Sequence, residues 1–502
     1  MKRLFALLLC MGMLLAVLPV SAKADMYEEL RQQMKEAFYK DEALDVSQYG
    51  MQKEELQTIY DDLYHSGQLP WYAAEDCKFV YAPNQTVGKF RPKVLNPNVY
   101  DRETYEIKMA ELLRDTCFAG MTDWQIALSV HEYITSHVCY DETYKLNTGY
   151  DALVNRTSAC YGYAQLFMDV MNRQGIPCKI LTCENTGDGY GHAWNAVQLD
   201  GQWYHVDATW DDPVPDIYGC SNHLFFLRTD EQFDDPAWFR GFYWEKTEEC
   251  NGRAYSREMF WEDVYHVITF LDKDTVLMRK EDGWDYLIYT KDVNTGKTEA
   301  LVRFSRKPVN LGKGSNLYPT AGVCYWNGRI YYNTETKVYS ILPDGTDRRE
   351  EVSYNAKKNK KYIYSCFVTD GVIYLELANH KLDTFTDLQI PIEGYIPHEH
   401  TFRQTQTAAT CTADGWSGKL CDCGLQVVMQ TFPKTEHRMT SEVTRQATQE
   451  QTGTTRHYCQ DCGYEELETI PKLPPEETQP TAPAAAEEQP FSIWEFLFGW
   501  LW

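Results

Sequence analysis

One segment limits how this chain can fold more than any other: His192-Ala-Trp-Asn-Ala-Val-Gln-Leu199, then Asp200-Gly201, then Gln202-Trp-Tyr-His-Val-Asp-Ala-Thr209. Asp-Gly between two strand-like runs is a strong two-residue hairpin signal, because both turn positions need positive φ. Such a turn sets the pairing register, with residue 199 facing 202 and 194 facing 207. His192 and Asp207 then project from one sheet face as a diagonal pair, roughly 7–8 Å apart at the backbone and bridgeable by their side chains. On the other face Val197, Leu199, Tyr204, Val206 and Ala208 can form core. Register alone sets an imidazole beside a carboxylate.

Upstream, Cys160 immediately precedes a helical pattern in which Ala164, Phe167, Met168 and Met171 line one face, with Gly175 as the stop and Pro177 beyond it. The sulfur is therefore expected at a helix N-terminus. The unpaired N–H groups and positive dipole end there favour thiolate over thiol and can stabilise an oxyanion. A reactive thiol also needs a base, and the base needs a group that holds its tautomer. Cys160 suits the nucleophile, His192 the base and later acid, and Asp207 the orienter.

Three blocks now resemble a known family. Ser158-Ala-Cys160-Tyr-Gly-Tyr-Ala164 with Gly175-Ile-Pro177, Gly191-His192-Ala-Trp-Asn195, and Trp203-Tyr-His-Val-Asp207-Ala-Thr-Trp-Asp-Asp-Pro213 are similar to the core of the bacterial transglutaminase-like superfamily. The resemblance runs from about Thr116 to Trp238, about a quarter of the chain. It implies a papain-like fold, with a Cys-bearing helix packed on an antiparallel sheet that carries His and Asp. It also implies Cys160, His192 and Asp207 as a catalytic triad that acts on peptide or protein amide bonds through a thioester. Hydrolysis is the favoured outcome and transamidation the variant. His192 fits the family block and His205 does not. One departure stands out: papain-type proteases place a Gln shortly before the Cys, and no Gln occurs between Gln125 and Cys160. The second oxyanion donor is thus unassigned. Tyr161, Trp194 and Trp210 are the substrate-binding candidates, although the two Trp also suit packing around the site. Cys178 and Cys183 are expected in the core or in a mutual disulfide.

The expected class is α+β in several domains, since 502 residues exceed what one core usually organises. Residues 1–24 resemble a secretory signal peptide: Lys2 and Arg3, an apolar run from Leu4 to Val20, and Ala22-Lys23-Ala24 as cleavage site. The expected location is secreted or cell-surface. Residues 25–115 carry helical stripes such as Leu30, Met34, Phe38 and Leu56, Ile59, Tyr60, Leu63. A catalytic domain is expected over 116–250, with Thr122 and Gln125 as the capping box of a helix. Residues 255–396 show short aromatic and β-branched strands between turns, which suggests an incomplete propeller-like or meander β domain.

Residues 397–473 hold two repeats, matching Glu399-His400 with Glu436-His437 and Cys421-x-Cys423-Gly424 with Cys459-x-x-Cys462-Gly463. Thiolate pairs near His suit zinc. However, the two Cys spacings differ, and Gln449 stands where the first repeat has Cys411. The expectation is accordingly no metal and no cofactor, with Cys421, Cys423, Cys459 and Cys462 in disulfide or plain β-module roles. A Pro/Glu/Ala linker, 474–490, leads to an aromatic tail, 491–502, which is too short to span a bilayer as a helix. The repeats and tail suit contact with a cell wall or membrane surface. A formal charge of −25 argues against nucleic acid. The expected partner is an extracellular peptide or protein substrate. The alternative is a surface-binding protein whose thiol site is degenerate.

Overall fold

Two helices and one sheet position everything at the thiol. In a computed structural model the chain is described over residues 20–474, except 84, 184–190, 215, 234–247, 306–308, 313–314, 318–321 and 380–383. The expected leader falls mostly outside these residues, as do all but the first residue of the linker and the whole aromatic tail. The chain divides into two compact units, residues 1–403 with 419–428, and residues 404–418 with 429–502.

In the first unit, helices α1 (Val20–Lys40) and α2 (Lys53–His65) bury the expected stripes Leu30, Met34, Phe38 and Leu56, Ile59, Tyr60, Leu63 in one cluster. This region is not purely helical. A three-stranded sheet, with Val87–Arg91 between Leu44–Asp45 and Lys78–Tyr81, closes the cluster through Val87 and Phe90. Its strands are short, and none of the Lys78–Tyr81 residues is fully buried, so no clear alternation marks them. Helix α3 (Arg102–Thr116) follows, started by Asp101, whose carboxylate accepts the Thr104 amide at 2.8 Å.

Helix α4 (Asp123–His137) begins at the expected capping box, with the Thr122 amide donating to Gln125 Oε1 at 2.7 Å. Helix α5 (Cys160–Arg173) ends where Gly175 takes φ +77° and the Ile176 amide returns to the Met171 carbonyl. Strands β1 (Cys178–Cys183), β2 (His192–Leu199), β3 (Gln202–Val206) and β4 (Phe226–Arg228) form an antiparallel sheet in that order. The β2–β3 turn has positive φ at both Asp200 and Gly201, and Leu199 faces Gln202 as expected. Val197, Leu199, Tyr204, Val206 and Ala208 are buried beneath α4 and α5.

Beyond residue 255 the chain forms three successive antiparallel meanders within 269–305, 323–353 and 361–391, with a two-stranded hairpin after the first. Trp261, Ile268, Phe270, Val276 and Met278 are buried in the same cluster as α4 and α5, so no core boundary falls at residues 250–255. The Cys-bearing repeats contain three-stranded sheets within 402–432 and 439–470. Among the described residues no helix is long and apolar enough to cross a membrane.

Candidate active site

Cys160 is the first residue of α5, half-buried, and no side chain caps the helix start. The next amide, that of Tyr161, donates to Asn147 Oδ1 at 3.1 Å, which ties the helix start to the loop before it. His192 opens β2 and is buried; its Nε2 donates to Asp207 Oδ2 at 2.6 Å. Cys160 is close enough to the same imidazole to add to its electrostatic stabilisation. The three residues expected to act together are therefore brought together. Burial works to lower the imidazole's pKa, but the Asp207 charge and hydrogen bond, with help from Cys160, outweigh it and hold His192 at about 10.

Asp207 is held as firmly as it holds. Its Oδ1 accepts the Thr209 and Trp210 amides, each at 3.1 Å, and so caps the short helix α6 (Ala208–Asp211). Below this turn lies a buried polar cluster with no obvious pattern in the sequence. His131 of α4 contacts Asp211 Oδ2 through Nε2 at 3.1 Å and Glu132 through Nδ1 at 3.2 Å, and Glu132 also accepts from His223. Asp211 further accepts the Phe225 amide. The cluster fastens the Asp207 turn to α4. Burial opposes charging of His131, but its two carboxylate partners raise it to about 9; Glu132, despite burial, is held down to about 2 by the two histidines.

The substrate-binding candidates separate. Trp194 is only 1% exposed and stacks near His192 at 5.8 Å between ring centres, while its Nε1 donates to His205 Nδ1 at 3.0 Å. His205 in turn contacts Asp230 at 2.9 Å, so it serves this buried chain rather than the thiol. Trp194 is thus packing, not a substrate contact, because β2 turns it toward the layer that holds Phe233 and Cys250. Tyr161 stacks on Tyr64 of α2 at 6.0 Å with its hydroxyl buried, which makes it an anchor for the N-terminal helices. Trp210 is only partly buried and lies over His192 at 4.8 Å, next to the reacting groups.

Cys178 and Cys183 are free and buried at opposite ends of β1. Five residue steps along a strand separate them by roughly 17 Å, too far for a disulfide. They are core. Tyr140 had no signal in the sequence beyond an aromatic before a loop. Its strand, Cys139–Tyr140, pairs in parallel with Thr157–Ser158 just ahead of Cys160. Burial raises its phenol pKa first, then the charges of Cys160 and neighbouring Tyr144, with Asp207 adding a smaller contribution. The phenol therefore stays protonated within electrostatic reach of the thiol.

Residues 112–208 match the family model described as the transglutaminase-like superfamily, and this stretch is a transglutaminase-like domain. The chain is 26% identical over 187 residues to kyphoscoliosis peptidase of Homo sapiens, covering 32% of this chain and 27% of that protein. It is 25% identical over 225 residues to kyphoscoliosis peptidase of Mus musculus, covering 40% and 33%. The chain thus spans about a third or less of the length of these relatives. A solved structure of a TGase aligns with 16% identity and a TM-score of 0.18, over 27% of this chain and 44% of that one.

Proposed function

We propose that this domain is a thiol enzyme acting on amide bonds of peptides or proteins outside the cytoplasm. The observation that carries the reading is the 2.6 Å His192–Asp207 bond on an imidazole that Cys160 also engages from the start of α5. In the first half-reaction the Cys160 thiolate attacks the carbonyl carbon, and negative charge moves to the carbonyl oxygen. In this reading the α5 start and the Tyr140 phenol, which is electrostatically coupled to Cys160, supply the donors for that oxyanion. His192 gives its proton to the leaving nitrogen, and the C–N bond breaks to leave a thioester and release an amine, or ammonia when a glutamine side chain reacts. In the second, water or an amine adds to the thioester while His192 takes its proton, and the thiolate departs.

Hydrolysis is the favoured reading. Secretion, a protein or peptide substrate, and retention on a wall or membrane surface through the C-terminal repeats and tail belong to the same proposal. The test is to incubate a peptide library with and without a primary amine and weigh the products. Shortened peptides identify a peptidase, and loss of ammonia or gain of amine a transferase. Unchanged peptides from wild-type protein, or the same products from Cys160→Ser protein, contradict the proposal.

A further inference from the structure

The expected disulfides of the C-terminal repeats are not formed: Cys411, Cys421, Cys423, Cys459 and Cys462 are all free. They gather instead with histidines into two tetrads, His398–His400–Cys421–Cys423 and Cys411–His437–Cys459–Cys462. Within each tetrad all four ligand atoms lie within 4.8 Å of one another. We propose that each tetrad binds one zinc ion, and that Cys411 of the first sequence repeat completes the site of the second.

The separations are those of a tetrahedron's edges. With Zn–S about 2.3 Å and Zn–N about 2.0 Å, S–S edges are about 3.8 Å and S–N edges about 3.5 Å. The structure has Cys411 Sγ to Cys459 Sγ at 3.8 Å and His437 Nδ1 to Cys462 Sγ at 3.3 Å in one tetrad. In the other, His398 Nε2 to Cys421 Sγ is 3.3 Å and His400 Nδ1 to Cys423 Sγ is 3.5 Å. The Cys411–Cys459 gap is nearly twice a disulfide bond of about 2.05 Å. Three thiols in one tetrad also cannot all pair. Mixed thiolate and imidazole ligands, four in number and all from protein, are the donor set of a closed structural zinc site.

Both sites use the same local device. Cys421 and Cys459 each end a middle strand, Gly415–Cys421 and Gly453–Cys459, and the chain turns back through Gly424 at φ +91° and Gly463 at φ +75°. The Gly424 and Gly463 amides return to the Cys421 and Cys459 carbonyls at 2.9 and 3.0 Å. In the first unit His400 uses its other nitrogen, Nε2, on Glu111 of α3 at 3.1 Å. A carboxylate on the far side of a ligating imidazole fixes its tautomer and strengthens it as a donor.

The sharing explains what made the two repeats look mismatched. The sequence counterpart of Cys411 is Gln449, so the second repeat lacks that loop thiol. The first module has no preceding loop thiol, and His398 fills the place. The division into compact units agrees: His398, His400, Cys421 and Cys423 fall in the first unit, and Cys411, His437, Cys459 and Cys462 in the second. A metal also answers a deficit. Of the strand residues Met439–Arg445, Gly453–Cys459 and Glu465–Ile470, only Gly453 and Cys459 are buried, so among the described residues these strands enclose no apolar core. Modules this small need a metal or disulfide in place of one.

The test is zinc content of the full-length protein, purified reduced and dialysed without chelator, by mass spectrometry of the metal. Two zinc ions per chain are expected, one each for Cys411→Ser and Cys423→Ser, and still two for Cys178→Ser. The double variants decide the sharing. Cys411→Ser/Cys462→Ser should keep one zinc, and Cys411→Ser/Cys423→Ser none; the reverse pattern overturns it. Wild-type protein exchanged into cobalt(II) gives a readout independent of how the variants fold, with two tetrahedral centres and thiolate charge-transfer from five cysteines expected. Fewer than two zinc ions in the wild type, octahedral cobalt spectra, or disulfides among these cysteines overturn the proposal.

Discussion

His192 Nε2 and Asp207 Oδ2 are 2.6 Å apart, while the other Asp207 oxygen caps the turn that follows it. One carboxylate therefore both orients the imidazole and anchors the backbone that carries it. Asp207→Asn keeps an acceptor oxygen for the Thr209 and Trp210 amides but cannot stabilise an imidazolium. The expected outcome is a thermal midpoint close to wild type with kcat reduced on the order of 10²–10⁴-fold. Steady-state kinetics and a melting curve check both halves. Asp207→Ala also loses the cap, which costs about 1 kcal/mol of stability.

The hairpin was legible in the sequence because the Asp200-Gly201 turn admits one register, and that register carries both His192 and Asp207. The start and end of α5 followed from Cys160 and Gly175 in the same local way. What could not be read depends on contacts distant in sequence. His131 and Glu132 look like ordinary helix positions until Asp211 and His223 meet them. Tyr140 gains meaning only through strand pairing ahead of Cys160. Trp194 lies in a family block and invites a substrate role, but the register that turns His192 to the thiol places Trp194 in a layer with Phe233. Cys411 was paired with Gln449 by repeat alignment, which cannot show a ligand serving its neighbour.

Activity should persist into alkaline pH. The reaction needs the His192 imidazolium to protonate the leaving amine, and Asp207 with Cys160 raises that group to about 10. The kcat profile in the acylation-limited regime is expected to fall only as pH approaches that value. Asp207→Asn should move the alkaline limb to lower pH, a shift that simple loss of folding would not produce.

Stability should follow the same sign. His131 and His192 have raised folded values, about 9 and about 10 against an ordinary 6.5. Their contribution is fully present below 6.5 and is lost as pH rises through 9 to 10. Glu132 is lowered to about 2 from 4.5, so its share is present above 4.5 and lost only as pH falls toward 2. Thermal midpoints from pH 5 to 10 should decline on the alkaline side. His131→Gln should flatten part of that decline.

Gly162 lies in the first turn of α5, where the helix presses on the chain before it. A methyl there would sit 2.0 Å from Ser158 Oγ and 2.5 Å from the Thr148 carbonyl oxygen. The backbone contact cannot rotate away. Gly162→Ala is expected to destabilise the fold by about 1–3 kcal/mol and to reduce activity by moving Cys160. Gly201→Ala meets no neighbouring atom within 4 Å, but it carries the positive-φ strain of the hairpin turn; its effect should be on stability, with the activity of the folded fraction retained. Denaturant titration with active-site counting separates the two.

The central claim, that Cys160 is the nucleophile of a three-residue unit, is tested most directly by labelling the native protein with an acylating thiol probe and sequencing the modified peptides by mass spectrometry. One fast adduct is expected, on Cys160, nearly abolished in His192→Ala and unchanged in Cys178→Ser, with Cys160→Ser/His192→Ala no less active than either single variant. A fast adduct on another cysteine, or full activity in Cys160→Ser protein, would contradict it.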